Sequence, residues 1–139
     1  INGKNSEFHA AMGVVNLNHI GSILARRKEQ SLIYTDLLKG LKASSQKLIS
    51  EKEYNYAYYP IVFESQSTAL KMKNILEKSE IFPRRYFYPS LSSLDYAPQM
   101  DTPISDDIAS RILCLPLYHG LSKVEQEMIA RILLRTQNN

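Results

Sequence analysis

The first residues of the chain have the types and spacing of an anion-binding turn. Residues 2–6 carry two asparagines, a glycine, a lysine and a serine, and Glu7 follows at the start of a predicted helix. The free backbone N–H groups of a helix start favour a phosphate or carboxylate. On the residues alone, a plain turn asparagine accounts for Asn2 better than a ligand does, and solvated charge is the rival interpretation for Lys4.

Other residues with chemical potential give little sign of a catalytic site. Cys114 lies in an apolar run, where a buried structural thiol is expected more often than a nucleophile. Asp106 and Asp107 are explained as first-turn partners of a helix dipole. None of the histidines has the spacing of a metal-ligand pair, so no metal site is predicted; they are His9, His19 and His119.

Tyrosine is the other chemically suggestive residue, with nine copies and no tryptophan. Tyr86 and Tyr88 flank Phe87 in a short stretch that two prolines bound. One interpretation is a half-buried strand whose tyrosines keep their hydroxyls in water. The other is the wall of a pocket for a sugar or a nucleotide. Pattern alone favours the first.

Composition limits the classes of protein to which this chain can belong. Its 139 residues fit one compact domain, and its net charge of +3 is mild. Because the arginine pairs at 26–27 and 84–85 are far apart, the sequence predicts no nucleic-acid patch. No apolar run approaches the length of a membrane span, and the single cysteine suits a reducing cytoplasm.

Periodicity in the first half predicts two helices, a strand and a third helix. The first helix runs from the opening turn to a break near residues 16–21, and the second closes near Gly40 and residues 44–45. Residues 56–63 alternate as a strand, with Tyr59, Ile61 and Phe63 on one face. Ser67 is expected to cap the next helix, which ends near residue 78.

Periodicity in the second half predicts another strand at 84–88, a long loop at 89–103 and a helix that starts at Ser105. A short extended run at 114–117 follows. The last helix begins with a capping box formed by Ser122 and Glu125. Its apolar stripe comprises Val124, Met128, Ile129, Ile132 and Leu133. This order predicts a small two-layer α/β domain of the α+β type.

Four segments of the chain resemble one known family. Residues 1–13 resemble, nearly residue for residue, the NxKxSEFxAAMG segment of the DegT/DnrJ/EryC1/StrS aminotransferases. Residues 26–38 resemble their RRxxxxxxYxxxL helix, residues 85–91 their RxYYxPxL segment, and residues 111–122 their RxLxLPLYxxLS ending. These matches are ordered and cover most of the chain, which is therefore identified as a member of this family.

The resemblance implies a fold-type I aminotransferase that depends on pyridoxal 5'-phosphate. Residues 1–139 are expected to form its small C-terminal domain, with a short, mostly antiparallel sheet packed with helices. The lysine that forms the Schiff base with the cofactor is expected upstream, outside this sequence, so the chain alone is expected to be inactive. The working unit implied is a cytoplasmic homodimer with active sites shared between subunits.

The resemblance also implies roles for three residues. Asn2 matches the asparagine that reaches the cofactor phosphate of the neighbouring subunit. Lys4 matches a basic position that meets substrate phosphate or carboxylate, and Tyr88 falls where the family lines the sugar pocket. Ser92 and Ser93 stand where many members carry a histidine after the Pro-x-Leu sequence, so a hydrogen bond at that position is not carried over.

The activity that the resemblance implies is transfer of an amino group, usually from glutamate, to a nucleotide-linked keto sugar. The sequence around residues 84–96 is most similar to that of enzymes that make 4-amino-4,6-dideoxy sugars from thymidine-diphosphate substrates. The resemblance thus implies a product for surface polysaccharides such as lipopolysaccharide. Two alternatives stay open. One is a non-catalytic α/β interaction module, and the other is a sugar dehydratase that uses the same cofactor. The upstream residue at the Schiff-base position distinguishes them.

Overall fold

A computed structural model describes residues 3–48, 54–97 and 100–138 of the chain. The helices are α1 (Glu7–Leu17), α2 (Ile20–Leu37), α3 (Gln66–Glu77), α4 (Pro103–Arg111) and α5 (Lys123–Gln137). The strands are β1 (Ala43–Ser45), β2 (Tyr59–Phe63) and β3 (Ile112–Leu115). One turn of 3₁₀-helix, Leu91–Ser93, lies in the long loop before α4. These elements form the expected small α/β fold.

The strands form one antiparallel sheet in the order β1-β2-β3. Ser44 lies opposite Val62, and Ile61 lies opposite Leu113, so β2 pairs on both of its edges. Pro60 has no N–H group to donate and sits next to the first residue of β2, where the sheet tolerates it. The prediction of a short antiparallel sheet packed with helices is confirmed.

One face of the sheet carries the hydrophobic core. Tyr59, Ile61 and Phe63 alternate along β2 and are all buried, as the sequence predicted. Helices α2, α3 and α5 cover this face, and the fully buried Leu113 of β3 lies in the same cluster. The other face of the sheet, beside α4, lines a cavity that is described below.

Several predicted boundaries are confirmed. A break separates α1 from α2 at residues 18–19, within the predicted range. The capping box at the start of α5 is present: the Ser122 hydroxyl accepts from the Glu125 backbone N–H, and the Glu125 carboxylate accepts from the Ser122 backbone N–H. Two helix starts differ from the prediction. Ser65, not Ser67, caps α3, and α4 starts at Pro103, because proline is well accommodated in a first turn.

Three predictions are wrong. Residues 84–88 are not a strand, since only Arg84 pairs with the sheet and the chain then turns away. Residues 44–45, which the sequence predicts to close the second helix, instead lie in β1, and α2 ends at Leu37. In α5 the stripe is rotated: Val124 and Met128 are exposed, whereas Gln126 and Ala130 are buried beside Ile129 and Leu133.

Helix α1 contributes no residue to the core that the structure describes. None of its residues is buried, although Phe8, Met12 and Val15 recur at helical spacing and each exposes more than half of its side chain. Tertiary contact is therefore not what holds this helix; the Ser6 hydroxyl accepts from the backbone N–H of His9 at its start. Among the described helices, none has the length and apolar character needed to cross a membrane.

Candidate functional site

The segment that carries the predicted pocket tyrosines, residues 84–90, is attached to the free edge of β3. The Arg84 N–H donates to the Cys114 carbonyl oxygen at 3.0 Å, and the Cys114 N–H donates back to the Arg84 carbonyl oxygen at 2.7 Å. The chain then leaves the sheet, and the Tyr88 N–H donates to the Arg85 carbonyl oxygen at 3.1 Å. We call residues 84–90 the aromatic turn. One pair of hydrogen bonds thus anchors a loop that carries three aromatic residues.

The aromatic rings of this turn form a small stack against the sheet. Tyr86 meets Tyr58 edge to face with ring centroids 5.3 Å apart, and it stacks on Phe87 at 5.0 Å. Phe87 nevertheless leaves 72% of its side chain exposed. A large, exposed aromatic residue held by neighbouring rings is suited to contact with a ligand or another polypeptide.

Tyr86 and Phe87 separate two cavities. The larger, about 760 Å³, lies on the open face of the sheet and includes Val62, Arg111 and Cys114 in its lining. The second, about 610 Å³, lies between the aromatic turn and α4, and its lining is largely apolar. Both volumes are in the range of small-molecule sites. The aromatic turn is therefore the element that shapes the concave surface of this fold.

Tyr88 lies at the far end of the turn and is fixed by two neighbours. The guanidinium carbon of Arg85 sits 3.5 Å from the centroid of the Tyr88 ring. The Gln66 side-chain amide donates to the Tyr88 hydroxyl at 3.4 Å. Tyr88 is 47% exposed and lines a third cavity of about 340 Å³. This placement agrees with a pocket wall better than with the half-buried strand that pattern alone favoured.

The third cavity also contains a carboxylate with hydroxyl partners. Asp106, in the first turn of α4, accepts hydrogen bonds from the hydroxyls of Ser92 and Thr102. The Ser92 hydroxyl, above all, holds the pKa of Asp106 below its usual value. Sequence reasoning assigned Asp106 only to the helix dipole. The contact with Ser92 crosses from one element to another, and no local pattern in the sequence signals it.

The three predicted site residues are not brought together by the described chain. Asn2 lies outside the described residues. Lys4 is exposed just ahead of α1 and does not line any of the three cavities described above. Tyr88 alone faces a cavity. A site that uses Asn2 or Lys4 together with Tyr88 therefore needs surfaces beyond those that the structure describes.

Metal and thiol chemistry find no support among the described residues. No cluster of three or more histidine, cysteine or acidic side chains with metal-binding geometry occurs in that part of the chain. Cys114 is buried in β3, and burial raises the pKa of its thiol. A raised pKa disfavours the reactive thiolate, in agreement with the structural role predicted for this residue.

Pyridoxal phosphate, which the family resemblance implies, does not fit the described residues alone. The cofactor needs a lysine for its aldehyde and several donors for its phosphate. The 610 Å³ cavity has no lysine or arginine in its lining. In the 760 Å³ cavity, Lys47 is present in the lining, and Arg111 is engaged by Asp107 and by the carbonyl oxygen of Phe63. Lys47 gives this cavity one amine, but with Arg111 already paired its lining has no second free cation for the phosphate, so the described residues form part of such a site and not the whole of it.

Comparison with known proteins identifies the family. A model of the DegT/DnrJ/EryC1/StrS aminotransferase family matches residues 1–134. Two similar proteins are each named dTDP-4-amino-4,6-dideoxy-D-glucose transaminase. The Escherichia coli protein is 33% identical over 144 residues, which cover 96% of this chain and 38% of the relative. The Shigella dysenteriae protein is 35% identical over 128 residues, which cover 87% and 35%.

Solved structures give the same fold. The structure of Spr1654 of Streptococcus pneumoniae in its PMP-form superimposes with a TM-score of 0.81 at 22% identity, and the match covers 93% of this chain and 34% of that protein. At this identity the likeness shows the fold alone. The chain spans less than two fifths of the length of each of these three proteins.

Proposed function

The chain belongs to the DegT/DnrJ/EryC1/StrS aminotransferase family, and on that premise we propose that it is the C-terminal part of a transaminase for nucleotide-linked keto sugars. The observation that carries this proposal is the similarity of nearly the whole chain to two dTDP-4-amino-4,6-dideoxy-D-glucose transaminases. The substrate proposed from those names is a dTDP-4-keto-6-deoxyhexose, and the proposed amino donor is glutamate. Such a product would serve surface polysaccharide synthesis.

Residues 1–139 are proposed to form the small domain of a longer, cytoplasmic enzyme. The relatives are more than twice as long as the region that they share with this chain. In this proposal the remainder supplies the lysine and most of the pocket for pyridoxal phosphate, which supplies the electron-withdrawing chemistry when bound. That division of labour accords with the described cavities, whose cationic side chains would form only part of such a pocket. The isolated chain would then have no transaminase activity.

Two residues near the start of the chain are proposed to act across a homodimer. Asn2 would donate its side-chain amide to the cofactor phosphate in the neighbouring subunit, and Lys4 would meet a substrate phosphate or carboxylate. Support for this comes from α1, which has no buried residue and so presents an exposed helix face next to this turn. A charged amine and an amide are suitable donors to phosphate oxygens.

Tyr88 is proposed to contact the sugar. Its hydroxyl can both donate and accept, and its ring offers an apolar face to a pyranose. The Asp106 carboxylate and the Ser92 hydroxyl beside it add acceptors and donors of the kind that sugar hydroxyls need. Binding and orientation of substrate, rather than proton transfer, is the role proposed for this chain.

The test uses the longer protein that contains this sequence, loaded with pyridoxal phosphate. We expect glutamate to convert the bound cofactor to its pyridoxamine form, seen as a change in the absorbance spectrum, and a dTDP-linked 4-keto-6-deoxyhexose to reverse it. Cofactor that does not respond to any amino donor would favour the dehydratase. A protein that binds no cofactor would favour the non-catalytic module.

A matched pair of variants tests the sugar contact. Tyr88→Phe removes only the hydroxyl of a residue that lines the third cavity, whereas Tyr96→Phe removes the hydroxyl of a residue that is 85% exposed. We expect Tyr88→Phe to raise KM for the keto sugar about tenfold, the usual effect of a lost hydrogen bond in a site. The rate with glutamate should stay unchanged. Equal kinetics for the two variants would remove Tyr88 from the substrate site.

A further inference from the structure

Arg85 is half-buried, its Nε is buried without a hydrogen-bond partner in the described part of the chain, and its guanidinium contacts the ring of Tyr88. The guanidinium carbon lies 3.5 Å from the ring centroid, so the planar group is stacked on the aromatic face. Its Nη2 donates to the Ser110 carbonyl oxygen, near the end of α4, at 2.7 Å. No aspartate or glutamate among the described residues forms an ion pair with Arg85. The ring of Tyr88 is therefore its main side-chain partner.

This arrangement links the tyrosine to a rigid element. The hydrogen bond to Ser110 fixes one edge of the guanidinium plane, and the stacked plane then limits rotation of the Tyr88 ring. Gln66, at the start of α3, restrains the hydroxyl from another direction. Tyr88 thus has two restraints although it is nearly half exposed.

We propose that Arg85 is a positioning residue that holds Tyr88 in the orientation in which it meets the sugar of the substrate. This inference rests on the proposed function, since it takes Tyr88 as the contact. Its physical basis is the cost of ordering a side chain on binding, which is avoided when the side chain is already held. Arg85 acts through the tyrosine ring and not by touching the substrate.

The neighbouring arginine provides a matched control. Arg84 also lies over a tyrosine, with its guanidinium carbon 5.4 Å from the ring centroid of Tyr86, and its side chain donates to the Tyr86 hydroxyl. It makes no contact with Tyr88 in the structure. Replacing either arginine by methionine removes one positive charge from the same turn, so a general electrostatic effect on an anionic substrate should be similar in both variants.

The experiment measures KM for the keto sugar nucleotide and the rate with glutamate in the full-length enzyme. We expect Arg85→Met to raise KM about three- to tenfold, without change in the glutamate rate, and Arg84→Met to leave both unchanged. Arg85→Lys should restore little, because an ammonium cannot stack flat on the ring and donate to Ser110 at once. In a Tyr88→Ala background, Arg85→Met should have no further effect.

Two results would overturn the inference. One is an unchanged KM in Arg85→Met. The other is an equal rise in KM with and without Tyr88, because additivity would mean that Arg85 contacts the substrate by itself.

Failure of the proposed function gives a different result. Glutamate would then not convert the cofactor, so no KM could be measured, and a double-mutant cycle on the free energy of unfolding would test the contact itself. Coupling between Arg85→Met and Tyr88→Ala would support the positioning contact, and its absence would overturn it.

Discussion

The side-chain amide of Gln126 in α5 donates a 2.9 Å hydrogen bond to the backbone carbonyl oxygen of Gln30 in α2. Both glutamines are fully buried. Gln30 in turn donates to the carbonyl oxygens of Tyr118 at 2.8 Å and Leu121 at 3.0 Å. This network ties together α2, α5 and the loop that precedes α5. The Oε1 atoms of both glutamines are buried without a partner, which lowers the net gain from the network.

The two glutamines should therefore differ in their contribution to stability. Gln126→Leu removes one hydrogen bond together with one unpaired oxygen, so we expect the free energy of unfolding to fall by less than about 1 kcal/mol. Gln30→Leu removes two hydrogen bonds to carbonyl oxygens that each keep one other donor, the Arg26 side chain for Leu121 and the Leu121 N–H for Tyr118, so it should cost about 1–2 kcal/mol. Urea unfolding of both variants measures the difference. Equal costs would contradict this account of the network.

A second prediction compares two residues of α5. Leu133 is fully buried in the core, whereas Val124 is 73% exposed. Leu133→Ala should lower the free energy of unfolding by about 3 kcal/mol, because it leaves a cavity. Val124→Ala should change it by less than about 0.5 kcal/mol. A large loss from Val124→Ala in thermal or urea unfolding would mean that this face is covered in solution.

The rotated stripe of α5 shows where sequence reasoning loses information. Apolar spacing located the helix and its capping box, because both are local properties of the chain. It did not indicate that Gln126 faces the core in place of Met128, since the partner of that glutamine is a carbonyl oxygen 96 residues away. The sequence does give a clue to the other buried glutamine, Gln30. It lies four residues before the core residue Tyr34, about one helical turn away on the same face of α2.

The same limit applies to the candidate site: local patterns indicate its elements, but not the contacts between residues far apart in the sequence. The aromatic residues within 84–88, bounded by two prolines, predicted a strand. The same two prolines are also typical of the ends of a turn, which is what the structure shows. The stacking of Arg85 on Tyr88 is local in sequence but depends on Ser110, which anchors the arginine from α4. Pattern alone left a pocket wall as the less favoured interpretation of Tyr88, the family resemblance assigned it to the sugar, and its place in a cavity was visible only in the structure.

A third prediction concerns acid pH. The Ser122 hydroxyl and backbone N–H donate to the Glu125 carboxylate and lower its pKa in the folded chain. A carboxyl with a lowered folded pKa stabilises the fold above its unfolded pKa, and this contribution is lost as pH falls through the folded pKa. Wild type should therefore be more stable than Glu125→Gln at pH 7, and the gap should close toward pH 3. A gap that stays constant over this range would contradict the capping box.

The last prediction concerns the thiol of Cys114. Burial in β3 raises its pKa and also blocks access to it, so two independent factors slow its reaction with a disulfide reagent. At pH 8 the folded chain should react at least about a hundredfold more slowly than the chain unfolded in guanidinium chloride.

The rate of this thiol reaction should follow local opening of the sheet near the aromatic turn, because Cys114 pairs there with Arg84. Pro83→Ala, which changes the entry to that turn without touching the thiol, should speed the reaction more than Val124→Ala does. Fast modification of the native protein would show that β3 opens freely at this edge, and the turn would then be too weakly anchored to hold Tyr88 in place.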